Sequence, residues 1–340
     1  ESMADENVVE AAKQILHADF LLIATGAGFS ADSGLATYAT MNQVPTMERL
    51  GMEYNELCCA DLLSKDPARF YGFWGWCLNT YRDTKPHEGA CFPPPTPTST
   101  TSCHLPLSSP EGYELLSRWL KLKREQHGSK DVGYVYTSNV DAHCRMFQDF
   151  CHVFELHGSV EEWCCSMREC PQSSTLIAAP PTFRFKLDQE SGCAVDEESL
   201  LAETEGVWSR NRPSCQECRS GLRPGVLMFG NDTHMYRLLQ TQEAEYNKWI
   251  KKVEASLKDN PEQRLIVIEI GCGMRVPSVR MEVDEVITDI LKLNPDAPSP
   301  QAALIRVNPE DTALHRSIPV TKLRMGALSA LHAIDRELGC

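Results

Sequence analysis

The sequence predicts an α/β protein in which a doubly wound parallel sheet carries a smaller inserted domain. Short apolar runs, typical of strands buried on both faces, alternate with longer stretches whose apolar residues recur at helical spacing. Alternation of this kind is typical of parallel sheets covered by helices on both faces. Two close pairs of cysteines lie in a stretch of poor periodicity, which indicates a separate small module. The chain of 340 residues is long enough for both parts.

The predicted elements can be justified in chain order. A helix over residues 7–17, with Val8, Ala11 and Ile15 on one face, leads directly into a strand over residues 20–24. Apolar runs predict further strands over 132–137, 152–156, 226–229, 265–270 and 303–307, and helical spacing predicts helices over 113–126, 243–257 and 279–293. The aromatic-rich stretch at 52–82 could stack a base, but we favour helical core packing.

The paired cysteines predict a structural zinc site. Cys165 and Cys170 form one pair, and Cys215 and Cys218 form the other. Four thiolates on two short knuckles suit tetrahedral zinc, and the metal would close a module too small to fold otherwise. Cys164 is an alternative to Cys165 as the first ligand. A catalytic zinc normally has His or carboxylate ligands and an open position, so we expect this metal to be structural.

We expect the chain to divide into three parts. These are a discontinuous Rossmann-like domain (4–50, 131–160 and 220–340), a helical insert (51–130) and a zinc-binding module (161–219). Within the insert, residues 90–110 are rich in Pro, Ser and Thr. Such a stretch cannot bury enough apolar surface to order itself, so we expect a disordered loop there.

Charge and composition exclude several functional classes. The net charge of −14 argues against direct nucleic-acid binding and is compatible with basic partners. No apolar run approaches the roughly 18 residues that span a bilayer, and no signal-peptide pattern opens the chain, so no membrane association is expected. Fifteen cysteines without a secretory signal favour reduced thiols and a metal site. We therefore expect a cytoplasmic or nuclear protein.

A glycine turn follows the first strand. Gly26, Ala27 and Gly28 lie where backbone N–H groups can approach a pyrophosphate. The turn lacks the third glycine and the downstream acidic residue of the dinucleotide fingerprint, which argues against a generic dehydrogenase. Ser30 and Ser33 extend the segment with small hydrogen-bonding residues suited to phosphate and ribose. On this segment alone, a plain strand–helix turn is an equal alternative.

Polar residues also follow the next two strands. Asn139 and Asp141 come after the strand at 132–137, and His157 comes after the strand at 152–156. Groups at the carboxyl ends of adjacent parallel strands converge on one crevice. A histidine with an ordinary pKa of about 6.5 can take a proton from a ribose hydroxyl near neutral pH. A buried structural histidine is the alternative.

In this order, the motifs resemble those of the sirtuins, which are NAD-consuming protein-lysine deacylases. The resemblance implies that His157 is the general base on the ribose hydroxyl, that Asn139 positions the ribose and that Asp141 holds the carboxamide. It implies that residues 222–230 pair with the substrate peptide and that the four cysteines hold zinc. It also implies an NAD site made of Gly26, Ala27, Gly28, Ser30, Ser33, Gly34, Tyr38, Ser138, Val140, Gly271, Cys272, Gly273 and Asn308.

The chain departs from the family at several of these positions. After Gly34 the family usually has Ile-Pro-Asp-Phe-Arg, whereas this chain has Leu-Ala-Thr-Tyr-Ala at 35–39. Both charged anchors of the cofactor loop are therefore lost, while Tyr38 keeps an aromatic ring. Other replacements are Ser138 for Gln, Cys272 and Gly273 for Thr and Ser, and Asn231 for Glu.

The resemblance predicts an NAD-dependent protein-lysine deacylase that releases nicotinamide and O-acyl-ADP-ribose. Its substrate would be an acylated-lysine protein, with histone-like basic tails as one class. One alternative is a sirtuin-like NAD glycohydrolase or mono-ADP-ribosyltransferase, because loss of the loop anchors could relax coupling to acyl-lysine. Another is an NAD-binding module with weak activity.

Overall fold

A computed structural model of the chain describes residues 3–37, 40–84, 111–196, 206–310, 312 and 317–339. Its helices are α1 (Met3–Leu16), α2 (Ala27–Ala31), α3 (Pro45–Leu50), α4 (Tyr54–Leu57), α5 (Leu62–Lys65), α6 (Pro67–Asp83), α7 (Glu111–His127), α8 (Thr233–Asp259), α9 (Ser278–Leu291) and α10 (Ala327–Leu338). Its strands are β1 (Phe20–Thr25), β2 (Gly133–Thr137), β3 (His152–Glu155), β4 (Gly158–Cys165), β5 (Ile177–Ala178), β6 (Leu222–Val226), β7 (Leu265–Ile270), β8 (Ala302–Val307) and β9 (Val320–Leu323). The predicted disordered loop at 90–110 lies outside the described residues.

The main sheet has six parallel strands in the order β3-β2-β1-β7-β8-β9. The strand order reverses beside β1, which is the arrangement of a doubly wound sheet with a crevice at its carboxyl edge. In β1, Ile23 pairs with Val135 of β2 on one side and with Ile268 of β7 on the other. The α/β prediction is confirmed.

Both faces of the main sheet are buried. On one face Ile23, Val135 and Ile268 pack against α1, α7 and α10. On the other face Leu22 and Val267 pack against α8 and α9. Burial on both sides explains why these strands are continuous apolar runs, since no face remains for polar side chains.

A second, antiparallel sheet has the order β5-β4-β6 and packs with α3 to α6 around its own core. The aromatic stretch belongs to this core, because Phe70, Tyr71, Phe73 and Trp74 are all buried. The helical core interpretation is therefore confirmed. Both β4 and β6 lie in this small sheet, so the sheet extends across two of the predicted domain boundaries, and that three-part division stays a prediction.

One predicted strand is wrong in position and in partner. The strand expected at 226–229 is instead β6, which ends at Val226 and pairs with β4 outside the main sheet. Pro224 and Gly225 are poor strand formers, which hid the true strand. The pairing of β4 with β6 is irregular between Ser159 and Trp163, and Pro224 lies opposite Trp163 at this irregularity, a place where proline is tolerated.

Other elements differ in length or were missed. Helix α8 begins ten residues before its predicted start, with Asp232 as an N-cap that accepts a hydrogen bond from the Met235 N–H. Strands β4 and β9 and helix α10 were not predicted. Among the described helices, none has the length and apolarity needed to cross a bilayer.

Candidate active site

The predicted site residues come together at the carboxyl edge of the main sheet. Gly26 directly follows β1, Ser138 follows β2, and His157 lies two residues beyond β3. On the other side of β1, Gly271 directly follows β7 and Asn308 directly follows β8. Five neighbouring strands therefore direct their carboxyl ends, with these residues, toward one crevice.

The glycine turn after β1 lies directly against the turn after β7. A Cβ atom on Gly26 would lie 2.9 Å from the Cys272 Cα, and one on Gly28 would lie 2.7 Å from the Gly271 Cα. The Gly28 N–H donates to the Gly271 carbonyl at 2.9 Å, and Gly271 itself has a φ of +65°. Only glycine permits this backbone approach, so packing alone already requires the glycines of this sequence motif.

A buried polar network connects the turn after β1 with the segment after β2. The Asn139 Nδ2 group donates to the Gly26 carbonyl at 3.1 Å and to the Ser30 Oγ at 3.0 Å. The Ser30 hydroxyl in turn donates to Asp141 Oδ2 at 2.6 Å. All three side chains are buried. The amide, hydroxyl and carboxylate are therefore held in fixed positions at the crevice.

Two further residues that sequence reasoning did not select complete this network. The Tyr113 hydroxyl, from α7, lies 3.4 Å from the Ser30 Oγ. The buried His143 donates its backbone N–H to Asp141 Oδ1 at 2.9 Å, and its Nδ1 lies 3.9 Å from Asp141 Oδ2. No local motif marks Tyr113, because its contact spans 83 residues of sequence.

The His157 ring is held by the backbone of the segment after β2. Its Nδ1 lies 3.2 Å from the Ser138 carbonyl oxygen, which can only accept, so Nδ1 carries the proton and Nε2 keeps a lone pair. Burial lowers the pKa of His157 below its usual 6.5, because the charged form loses solvation. The imidazole is therefore neutral at pH 7.

The residue after the histidine has to be glycine. Gly158 has a φ of +76°, and a Cβ there would lie 1.9 Å from the Gly225 carbonyl oxygen of β6. The His157 carbonyl accepts the Leu227 N–H at 2.8 Å on the same side. The His-Gly pair is thus fixed where the main sheet meets the small sheet.

In the loop after β7, residues 271–273, the backbone faces the crevice more than the side chains do. The Cys272 thiol lies 3.8 Å from the Ala24 carbonyl and 3.6 Å from the Ile270 carbonyl, and burial raises its pKa well above the usual value. The Asn308 Nδ2 donates to the Cys272 carbonyl at 3.1 Å, while its Oδ1 accepts the Glu310 N–H. Next to Gly273 the space where a Cβ would stand is open.

The remaining predicted cofactor residues differ in their burial and in their hydrogen bonds. Ser33 is buried and its N–H donates to the Ser30 carbonyl, while Gly34 has a φ of +84° beside open space. Ser138 donates its N–H to the Thr25 carbonyl, and the Val140 carbonyl accepts the Val160 N–H. Tyr38 lies outside the described residues.

The four predicted cysteines form one cluster. The Sγ atoms of Cys165, Cys170, Cys215 and Cys218 all lie within 4.8 Å of one another, with 3.4 Å between Cys165 and Cys218 and 3.7 Å between Cys170 and Cys215. Tetrahedral zinc with bonds of about 2.3 Å places its sulfurs about 3.8 Å apart. The cluster therefore fits a closed, four-thiolate zinc site.

The structure decides between the two candidates for the first cysteine. Cys165 belongs to the cluster, whereas the Cys164 Sγ lies 3.9 Å from the His234 Nε2. Successive strand residues point to opposite faces, so only one of the two can face the metal. Hydrogen bonds from Ser220 lower the pKa of Cys218 to about 6, which favours the thiolate that a metal requires.

The chain is similar to one protein of known activity and to several solved structures. No protein-family model matches the chain. An NAD-dependent protein deacylase from Thermococcus sibiricus is 26% identical over 223 residues. The match covers 66% of this chain and 65% of that protein, so the chain spans about two thirds of its relative's length.

Solved structures show the same fold at lower identity. A structure described as a Sir2 homologue–NAD complex has a TM-score of 0.56 and 19% identity, covering 97% of this chain and 93% of that one. A study of sirtuin substrate affinity supplies another, with a TM-score of 0.56, 16% identity and coverages of 96% and 98%. A Sir2 homologue mutant in complex with 2′-O-acetyl ADP ribose has a TM-score of 0.54 and 19% identity, covering 97% and 96%.

Proposed function

We propose, on the premise that this chain is a divergent sirtuin, that it is an NAD-dependent protein-lysine deacylase. One observation carries the proposal. A neutral His157, with its Nε2 lone pair available, lies beside the buried network of Asn139, Ser30 and Asp141 at the carboxyl edge of the sheet. A base next to fixed amide and carboxylate groups is the arrangement that ribose chemistry requires.

The residues at the crevice fit NAD. The open space beside Gly273 and Gly34 leaves room for a ligand against the two glycine turns. Asp141 accepts one hydrogen bond at each oxygen from protein donors, and a carboxylate has further lone pairs with which to accept a carboxamide N–H. NAD supplies the reactive bond to nicotinamide, and the protein supplies orientation and a proton acceptor.

Each residue has a distinct role in this proposal. His157 takes the proton of a ribose hydroxyl at Nε2, while the Ser138 carbonyl fixes the ring through Nδ1. Asn139 positions the ribose, and the Asp141 carboxylate with the Val140 backbone holds the carboxamide. Gly26, Gly28 and Gly271 bring the two turns together around the phosphates, while Ser30 fixes Asn139 and Asp141. The zinc cluster stabilises the small module.

The proposed protein substrate is an acylated lysine in an extended peptide. Strand β6 ends at Val226 and is followed by residues 227–230, where Phe229 is 39% exposed and its ring packs edge-on against Tyr54. An exposed apolar side chain at the end of a strand suits an apolar acyl group next to a peptide backbone. The net charge of −14 supports histone-like basic tails as one substrate class.

A second candidate is an NAD glycohydrolase or mono-ADP-ribosyltransferase that uses the same site. It is supported by Thr37 and Ala39, which stand where the family has the Asp and Arg that anchor its cofactor loop. A less firmly held cofactor loop would admit water or another acceptor in place of the acyl oxygen.

Nicotinamide release distinguishes these candidates. The purified protein is incubated with NAD and an acetyl-lysine peptide, with the unacetylated peptide, or with no peptide. We expect release only with the acetylated peptide, loss of release in His157→Ala, and retention in His152→Ala, which changes a half-exposed histidine at the start of β3. Release without peptide would favour the second candidate, and NAD binding without release would contradict both.

A further inference from the structure

We propose that Arg280 is a positioning residue that holds the 271–273 loop in the conformation that receives the cofactor phosphate. The identity of the ligand rests on the proposed function. The restraint of the loop by Arg280 rests on the structure alone. Arg280 lies in the first turn of α9, the helix that follows that loop after residues 274–277, and its side chain is fully buried.

Arg280 belongs to a cluster of four buried charged residues from three elements. Glu269 comes from β7, Arg280 and Asp284 from α9, and Arg306 from β8. The Arg306 guanidinium donates to Glu269 Oε2 at 2.7 Å and to Asp284 Oδ1 at 3.3 Å, and the Arg280 Nε lies 3.5 Å from Glu269 Oε1. Each residue is at most 2% exposed, and the formal charges balance.

Such a cluster is a costly way to fill a core. Removing each charge from water costs several kcal/mol, and apolar residues of similar volume often stabilise a core at least as well. Strand β7 is otherwise Leu-Ile-Val-Ile-Ile, so an apolar side chain would fit the pattern at Glu269. The cluster therefore needs a purpose that an apolar core cannot serve, namely a directed hydrogen bond.

That hydrogen bond goes to the loop. The Arg280 Nε donates to the Cys272 carbonyl at 2.9 Å, and the Asn308 Nδ2 donates to the same oxygen at 3.1 Å. On one side of this peptide, Gly271 is fixed by its contact with Gly28. Two donors on one carbonyl set the direction of the Cys272–Gly273 peptide plane, and hence of the N–H groups that follow it.

The loop needs an external restraint because of its own composition. Residues 271 and 273 are glycines, which have more conformational freedom than any other residue type. Gly273 is also exposed. The Cys272 thiol is buried over the strands, so no side chain of the loop can hold a phosphate. Within residues 271–273 only the backbone amides can then bind a phosphate, and they bind it well only if their N–H groups already point toward it.

The position of Arg280 has an electrostatic cost that Glu269 offsets. A cation in the first turn of a helix opposes the helix dipole. The Glu269 carboxylate faces the Arg280 guanidinium from the neighbouring strand and balances that charge. Because the cluster is neutral as a whole, its effect on the loop is positional rather than a general attraction for anions.

Arg280→Lys and Arg306→Lys form a matched pair for testing this proposal. Both keep the positive charge beside Glu269, but only the first removes the Nε donor to Cys272. Amide hydrogen exchange of the ligand-free proteins is followed in a peptide covering residues 271–277, and thermal unfolding is recorded for both. Binding of ADP-ribose is compared with binding of adenosine, which lacks phosphate.

We expect the loop amides of Arg280→Lys to exchange about tenfold faster than those of Arg306→Lys, at similar melting temperatures. ADP-ribose affinity should fall about tenfold in Arg280→Lys only, with adenosine affinity unchanged. Equal exchange in the two variants, or equal loss of ADP-ribose affinity, would overturn the proposal. If the loop exchanges faster in Arg280→Lys but the wild-type protein does not bind ADP-ribose, the proposed function is overturned. The proposed restraint of the loop by Arg280 then still stands.

Discussion

The Ser30 hydroxyl donates to the Asp141 carboxylate at 2.6 Å and thereby connects the glycine turn after β1 with the segment after β2. The same hydroxyl oxygen accepts from Asn139 at 3.0 Å. Ser30 is thus the shared partner of the two residues proposed to orient the nicotinamide ribose and its carboxamide. Motifs that are 111 residues apart in sequence are joined by a single buried side chain.

Ser30→Ala removes that shared partner. Asp141 Oδ2 and Asn139 Nδ2 each lose a buried hydrogen bond, so we expect the free energy of unfolding to fall by about 2 kcal/mol and NAD affinity to fall with it. Ser173→Ala is the control, because it removes a buried hydroxyl whose acceptor is the neutral Arg168 carbonyl in the small module. Isothermal titration calorimetry measures the NAD affinity of both variants. An unchanged affinity in Ser30→Ala would argue against a role of the network in NAD binding.

The pH dependence of the reaction should report His157. Burial lowers its pKa, so the imidazole stays neutral and competent as a base to a lower pH than an ordinary histidine does. We expect the acidic limb of kcat/KM for nicotinamide release to lie below pH 6.5, because the rate decreases only as the pH falls through the lowered pKa. An acidic limb at or above pH 6.5 would contradict the assignment of His157 as the buried base.

Zinc removal should unfold the small module. Cys215→Ser takes one ligand from a four-thiolate site, so we expect the bound zinc to fall from one equivalent to none. The ring centroids of Trp163 and Trp208 lie 5.8 Å apart in this core. We therefore expect the near-ultraviolet circular dichroism of these rings to weaken in the variant. Cys164→Ser is the matched control, since Cys164 neighbours the cluster without belonging to it, and it should keep its zinc. Equal loss of zinc in both variants would contradict the ligand assignment.

Much of the architecture could be predicted from the sequence because both faces of the main sheet are buried. Five of its six strands are apolar runs within one or two residues of the prediction, and the polar motifs follow their carboxyl ends. The cysteine spacing indicated the metal cluster for a similar reason, since short knuckles place ligands together locally.

What sequence reasoning missed depends on long-range contacts. Strand β6 was misplaced because Pro224 and Gly225 oppose strand propensity, and the pairing with β4 overrides it. Tyr113 reaches Ser30 only after α7 has packed on the sheet. The Arg280 cluster did leave a signal, because Glu269 and Arg306 interrupt apolar strands, but their pairing depends on strand order.

Gly158 offers a strict test of how His157, the proposed general base, is held. An added Cβ would lie 1.9 Å from the Gly225 carbonyl, so Gly158→Ala must displace either β6 or the His157 backbone. Gly128→Ala provides the backbone control, because Gly128 has a similar φ of +66° but only open space around its Cβ position. The control should cost about 1 kcal/mol of unfolding free energy, the ordinary penalty of a left-handed alanine. Gly158→Ala should cost several times more and should abolish nicotinamide release. Urea unfolding measures both variants, and similar losses in the two would show that the close contact with β6 does not constrain the His-Gly pair.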